Sequence, residues 1–273
     1  SPELWDMAPR HISIALTNAC DFDCYHCFAP KPPARLDVDK IIAWLEELDA
    51  HGCLGVGFGG GEPTLYRELP EICRYVAKET NMAVTFTTHG HHIEDRLAAE
   101  LKGYVHFIRV SMDGVGATYE RIRKKDFSLL LRQLELIRAI APFGINYLVN
   151  HTTFPEIGEA VALATEIGAS EFLLLPEQPT TRSSGIDSNT KQALSKWIEL
   201  YDGSVPLTVS EAGSEGLPIV NPLPKESGLR AYAHIDASGI LKRSSYDTYG
   251  VPIGAGGVME ALELLQSLTE DAK

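Results

Sequence analysis

Several things are missing from this 273-residue sequence. No apolar run reaches the ~18 residues of a membrane-spanning helix. The opening SPELWDMAPR holds no apolar stretch of the secretory-signal kind. Basic residues are scarce, with 24 Lys and Arg against 37 Asp and Glu, a formal net charge of -13. That deficit argues against nucleic acid, which calls for a basic face, and against docking on anionic lipid. The expected setting is the cytoplasm, with neither nucleic acid nor membrane as partner. Cysteines are few and odd in number: of five, three fall within eight residues. Such a set argues against a disulfide framework and for metal binding.

What is present is a substantial apolar fraction, 44%, in an ordered pattern. Strand-like runs alternate with amphipathic helical stretches. Strands are expected at 11–17, 54–59, 83–88, 106–112, 146–150 and 171–175. Helices are expected at 38–51, 68–79, 94–102, 127–140, 157–167 and 191–201. Six β–α units in a row imply an α/β fold with a parallel sheet, curled by right-handed crossovers into a partial (β/α)6 TIM-like barrel over residues 10–203. From residue 204 prolines and glycines multiply (Pro206, Gly213, Gly216, Pro218, Pro222, Pro224, Gly228). AYAHIDASGILKRSS then reads as a hairpin turning at Asp236 to Gly239, and a last helix at 258–268 follows. Residues 204–273 are expected to form a small α+β extension.

Cys20, Cys24 and Cys27 make C-x3-C-x2-C directly after the first strand, at the carboxyl end of the sheet, where β/α barrels place their chemistry. Three thiolates can hold three irons of a 4Fe–4S cluster and leave the fourth open, unlike a ferredoxin that closes all four corners. Zinc is the rival, with His26 available inside the loop as a fourth ligand. A c-type haem is excluded because Phe28, not histidine, follows Cys27. The second strand ends in GFGGGEPTL. Its glycines let a ligand approach the main chain, and Glu62 with nearby carbonyls suits an ammonium group. No Lys-Ser or Lys-Thr follows, as a phosphate loop would require. A tight turn with a solvated glutamate is the plain alternative.

Together these motifs resemble the radical S-adenosylmethionine superfamily, in its branch with twitch or SPASM extensions. VSMDG, Val110 to Gly114, and YERIRKKDF, Tyr119 to Phe127, strengthen the likeness. The resemblance implies one 4Fe–4S cluster on Cys20, Cys24 and Cys27, with S-adenosylmethionine chelating the open iron. It implies that Gly60, Gly61 and Glu62 bind the methionyl amine and that Ser111 and Asp113 lie near the carboxylate and ribose. His26 would pack on adenine where relatives carry tyrosine or phenylalanine, and Leu174 or Leu175 would join it or fill the core. It also implies an external electron donor such as flavodoxin or ferredoxin.

Departures from the family pattern are informative. Thr88-His89-Gly90 stands where relatives carry asparagine, and His91 and His92 follow. A second metal site is conceivable there, though polar loop residues are the simpler reading. No cysteine follows Cys73, so the extension lacks auxiliary-cluster ligands, while Cys53 and Cys73 read as buried apolar residues. A single cluster favours a redox-neutral outcome. Candidate substrate-side groups are His89, His151, Glu177, Gln178, Arg182, Asp187, Tyr246 and Tyr249, with His151, Glu177 and Tyr246 foremost. With no spare N-terminal domain to grip a leader peptide, the expectation leans to a small metabolite or natural-product intermediate. A ribosomal peptide is the close rival, and a non-catalytic iron–sulfur or zinc scaffold the alternative of another class.

Overall fold

The computed structural model describes residues 7–219 and 227–270. Eight helices and ten strands alternate among them. β1 (His11–Thr17), α1 (Val38–Ala50), β2 (Gly55–Gly60), α2 (Leu69–Glu79), β3 (Ala83–Thr88) and α3 (Asp95–Leu101) come first. β4 (Phe107–Ser111), α4 (Ala117–Arg123), α5 (Phe127–Ile140), β5 (Phe143–Val149), α6 (Ile157–Glu166), β6 (Glu171–Pro176) and α7 (Ser188–Glu199) follow. β7 (Leu207–Val209), β8 (Tyr232–Ile235), β9 (Ile240–Lys242), β10 (Val251–Pro252) and α8 (Gly257–Glu270) complete the order.

All ten strands form one sheet in the order β10-β9-β8-β1-β2-β3-β4-β5-β6-β7. From β8 through β7 every neighbour is parallel, and β9 and β10 run antiparallel at one edge. The sheet therefore crosses residue 203 in both directions. β7 adds to β6, and β8 returns to lie beside β1 with His11 opposite Tyr232.

Alternation along the strands sorts two faces. Ile12, Ile14, Val56, Phe58, Val84, Phe86, Ile108, Val110, Phe172 and Leu174 are buried in one apolar core with the helices. Helix α1 contributes Ile41, Trp44, Leu45 and Leu48 to it, a stripe at helical spacing. The helix starts at Asp37, whose side chain accepts from the Asp39 and Lys40 amides. Truncating one such residue, as in Leu45→Ala, costs about 2–5 kcal/mol. The opposite face carries His11, Ser13, Thr85, Arg109, Ser111 and Asn146 together with Phe107, Leu173 and Leu175, so the inside of the curl mixes polar and apolar groups.

The expected hairpin is present. Gly239 N–H donates to the Asp236 carbonyl at 2.9 Å, and His234 pairs with Lys242. β5 begins at Phe143, three residues before the expected start. Pro142 and Gly144 look like turn residues in sequence. A Cβ on Gly144 would lie 3.0 Å from the Phe107 ring, so the glycine serves close strand packing. Helix α4, only seven residues long, and β7, only three, carry too little periodicity to be read in advance. Pro222 and Pro224 lie outside the described residues.

Candidate active site: a cysteine loop bonded to a glycine–glutamate loop

The six loops that leave β1 to β6 share the carboxyl rim of the sheet. The longest, 18–35, carries the three cysteines. Its base is zipped shut: Asn18 N–H donates to the Ala34 carbonyl and Leu36 N–H to the Leu16 carbonyl, both at 3.0 Å. Cys24 is buried, Cys27 half-buried and Cys20 exposed, and none is in a disulfide. The Phe22 N–H points at Cys20 Sγ, 3.4 Å away. Burial pushes the Cys20 and Cys24 thiols up, so a bound cation's charge is needed to hold them as thiolates.

Three thiols can hold three corners of a 4Fe–4S cluster, and the side chains as they stand are not gathered for zinc. Tetrahedral zinc with ~2.3 Å bonds brings its sulfurs within about 3.8 Å of one another. Among the described residues, the three cysteine sulfurs do not gather within 4.8 Å of one another. His26, the fourth ligand a zinc reading would need, has its Nε2 3.1 Å from Asp113 Oδ2, and its Nδ1 is buried with no protein partner.

The end of β2 is bonded to this loop through main chain. Gly61 N–H donates to the Thr17 carbonyl at 2.7 Å, and Glu62 N–H to the Ala19 carbonyl at 2.8 Å. A Cβ on Gly60, at φ +127, would meet the Thr17 oxygen at 2.2 Å, and one on Gly61 the Ala19 oxygen at 2.1 Å. Only glycine permits that contact. Gly59 faces open space, so the backbone there is approachable.

Glu62 is 1% exposed and fully engaged. Its Oε1 accepts from Thr64 N, Thr64 Oγ1 and Thr88 Oγ1 at 2.7–3.1 Å, and its Oε2 from His89 N at 2.9 Å. The carboxyl group is held in place by four hydrogen bonds and is not a solvated turn residue.

Beside it lie the three histidines. The His91 N–H donates to His89 Nδ1 at 3.1 Å, which puts the His89 proton on Nε2. That proton points at Asp21 Oδ1, 3.0 Å away, with Glu62 Oε2 at 3.4 Å. Cys20, Asp21 and His89 do offer ligand atoms within 4.8 Å of one another. A metal-ligating nitrogen must be free of its proton, however, and its other ring nitrogen usually donates. His89 has the reverse arrangement, so the group is a hydrogen-bond network. Burial alone would raise the Asp21 carboxyl, but His89 and His92 outweigh it and hold it down to about 2. His91 donates or accepts at Tyr119 Oη, 2.8 Å away, and burial keeps it neutral, down to about 4.

After β4, Asp113 is 2% exposed and turned away from solvent. Its Oδ2 lies 2.5 Å from Arg123 Nε and 3.1 Å from His26 Nε2. Burial would raise this carboxyl, yet the Arg123 guanidinium and His26 hold it well below the usual carboxylate range. Asp113 thus fixes His26 beside Cys27.

Glu177, after β6, is also buried. It accepts from Asn150 Nδ2 at 2.6 Å and from Ser183 Oγ, and Asn150 Nδ2 also donates to Tyr25 Oη at 2.8 Å. Arg182 donates to the Cys24 carbonyl at 2.7 Å and to Asp23 Oδ1 at 2.9 Å. The β6–α7 loop is therefore tied to the cysteine loop at two places. Between the two loops opens a cleft of about 710 Å³, walled by Cys27, Phe28, Lys31, Gln178, Arg182 and Tyr246 among others. The Phe28 and Tyr246 rings are 4.1 Å apart, and burial lifts the Tyr246 hydroxyl up to about 12.

The other candidates are sorted by position. His151 follows β5 but is exposed and lines no part of the cleft. Asp187 caps α7, accepting from Thr190 N and Oγ1, and Tyr249 is 87% exposed. Leu174 belongs to the helix-side core, while Leu175 is half-buried on the opposite face with Ser111. Cys53 and Cys73 are buried among apolar residues, as expected. Sequence reading missed Asp21, Phe22 and Asn150, whose partners lie far along the chain, and Arg123, whose partner Asp113 lies across helix α4. Only the place of Arg123 within YERIRKKDF offered any prior signal.

The carboxyl rim of this parallel α/β sheet therefore carries a three-cysteine loop bonded to a glycine–glutamate loop, the arrangement of a candidate cofactor site. The chain belongs to the radical SAM superfamily, which it matches over residues 14–164. Members of that family use a 4Fe–4S cluster and S-adenosylmethionine. The chain is 30% identical over 189 residues to an AdoMet-dependent heme synthase of Methanosarcina barkeri, covering 66% of this chain and 54% of that protein. It is 28% identical over 204 residues to mycofactocin maturase MftC of Mycolicibacterium smegmatis, covering 71% and 51%. It thus spans about half the length of these curated relatives. Among solved structures it resembles Streptococcus suis SuiB bound to S-adenosylmethionine, with TM-score 0.72, 15% identity, 87% of this chain and 60% of that one. It also resembles anSMEcpe with AdoMet and a Kp18Cys peptide, with TM-score 0.70, 16% identity, and 95% and 82% covered. These neighbours share its partial-barrel fold. Among the described residues no helix is long and apolar enough to cross a membrane.

Proposed function

We propose that this chain is a radical S-adenosylmethionine enzyme with one cluster, held by Cys20, Cys24 and Cys27. The observation that carries the reading is the main-chain bonding of Gly61 and Glu62 to Thr17 and Ala19, which presses the two motif loops together. When bound, the cluster supplies the electron that splits S-adenosylmethionine into methionine and a 5′-deoxyadenosyl radical, which removes hydrogen from a substrate carbon.

This chain's own residues bind and orient. The Gly60 and Gly61 carbonyls, backed by the Glu62 charge, take the methionyl ammonium. Ser111 serves the carboxylate or ribose side, and Asp113 acts through His26, which packs on adenine with Leu175. The cleft beside Cys27 receives the substrate, with Tyr246 and Phe28 as its aromatic wall. Glu177 holds the β6–α7 loop in place. The electron comes from an external flavodoxin or ferredoxin.

In this reading the substrate is a small metabolite or natural-product intermediate, converted with a redox-neutral outcome. A second reading, modification of a ribosomal peptide, draws on the cleft being open to solvent and on structural neighbours that bind peptides, SuiB with SuiA among them. Residues 10–203 form the catalytic unit in this reading, and 204–273 a reduced twitch- or SPASM-like extension. Anaerobic reconstitution tests the cluster assignment: brown protein with four irons per chain supports it, and colourless protein with one zinc overturns it.

A further inference from the structure

We propose that His89 is a positioning residue that ties the amine-binding end of the cosubstrate site to the Cys20 side of the cluster loop. The proposal rests on the roles given above to Glu62 and Cys20. His89 stands where the resemblance predicts asparagine, and it does two things that asparagine cannot do together. Its Nε2–H reaches Asp21 Oδ1 at 3.0 Å and approaches Glu62 Oε2 at 3.4 Å, while its main-chain N–H holds Glu62 Oε2 at 2.9 Å. Its ring lies flat on Phe22, with centroids 3.9 Å apart and planes 5° apart. Phe22 in turn donates its N–H to Cys20 Sγ. Both His89 and Phe22 are buried, so neither contact is diluted by water.

The two arms of His89 have separate consequences. The donor arm bonds Asp21 and places a ring N–H 3.4 Å from Glu62 Oε2, adding to the four hydrogen bonds that already hold the carboxylate whose field the cosubstrate ammonium needs. The stacking arm orients the Phe22 N–H, and hydrogen bonds to cluster sulfurs are among the factors that set the reduction potential. A packing residue without this function would affect neither property separately.

The test compares wild type, His89→Phe and His89→Asn as full-length reconstituted protein, with His89→Gln as a second donor variant. Iron content and thermal melting check the fold. S-adenosylhomocysteine affinity is measured by calorimetry, and midpoint potential by EPR-monitored redox titration. His89→Phe keeps the stack and loses the donor, so affinity falls about tenfold with potential unchanged. His89→Asn and His89→Gln keep a donor and lose the stack, so potential shifts negative with affinity within about threefold. Variants that match wild type in both readouts, or that lose both in parallel, overturn the proposal. Wild type that holds neither four irons nor S-adenosylhomocysteine overturns the underlying reading instead.

Discussion

His26 Nε2 lies 3.1 Å from Asp113 Oδ2, which joins the residue before the third cysteine to the loop after β4. The same oxygen is 2.5 Å from Arg123 Nε, so two motifs far apart in sequence meet on one buried carboxylate. Removing the cation should therefore be costly. Arg123→Met leaves the buried Asp113 with His26 as its remaining partner and is expected to cost about 3 kcal/mol in urea unfolding of the metal-free protein. Adding Asp113→Asn should recover part of that loss. A single variant within 1 kcal/mol of wild type would refute the pairing.

The same pair has a pH signature. The Asp113 carboxyl is depressed in the folded state, below an unfolded value of ~3.9. Its contribution is then fully present above about pH 4 and is lost as pH falls through the lower folded value. Wild type and Asp113→Asn should differ in stability at pH 6 and converge below pH 3. A difference that persists unchanged to pH 2 contradicts this.

His234 behaves in the opposite sense. Burial, aided by Lys242 and opposed by Asp236, lowers it from 6.5 to about 4. Between those values the unfolded chain binds more protons, so stability rises with pH across the window and is lost on acidification. The group accounts for up to about 3 kcal/mol between pH 7 and 4. His234→Gln should flatten the dependence of the urea midpoint over that range, and an unchanged slope would remove His234 from the account.

The glycine loop makes a position-specific prediction. Gly60→Ala and Gly61→Ala drive a methyl into the Thr17 and Ala19 carbonyls and should cost more than about 2 kcal/mol, with loss of S-adenosylhomocysteine binding. Gly59→Ala meets nothing within 4 Å and should fold like wild type. Equal effects at all three positions would refute the loop geometry.

The cysteines divide into two groups. Cys24→Ala should abolish iron binding and leave the fold intact. Cys73→Ser should retain iron and lose about 1–3 kcal/mol, because a hydroxyl replaces a thiol at a fully buried site. Iron retained by Cys24→Ala would count against the cluster loop.

Much of this was legible in sequence because it is local. The cysteine spacing, the glycines before Glu62 and the alternating strands are short patterns with direct physical meaning. The partners of those residues were not legible. Arg123 reaches Asp113 around a seven-residue helix, Asn150 meets Tyr25 across 125 positions, and Arg182 meets Cys24 across 158. No periodicity records such contacts. Glu177 looked like a substrate-side group because it follows β6, and Asp187 stood among the polar candidates, yet one holds a loop and the other caps a helix. A carboxylate's function depends on what surrounds it, which only the fold supplies.

The central claim is that three sulfurs hold a cluster and the Glu62 loop holds the S-adenosylmethionine that the cluster splits. The direct measurement is product formation by anaerobically reconstituted, dithionite-reduced protein supplied with S-adenosylmethionine. The account predicts methionine and 5′-deoxyadenosine in equal amounts, with none from Cys24→Ala. Wild-type protein that carries four irons, binds S-adenosylmethionine and releases neither product would contradict it.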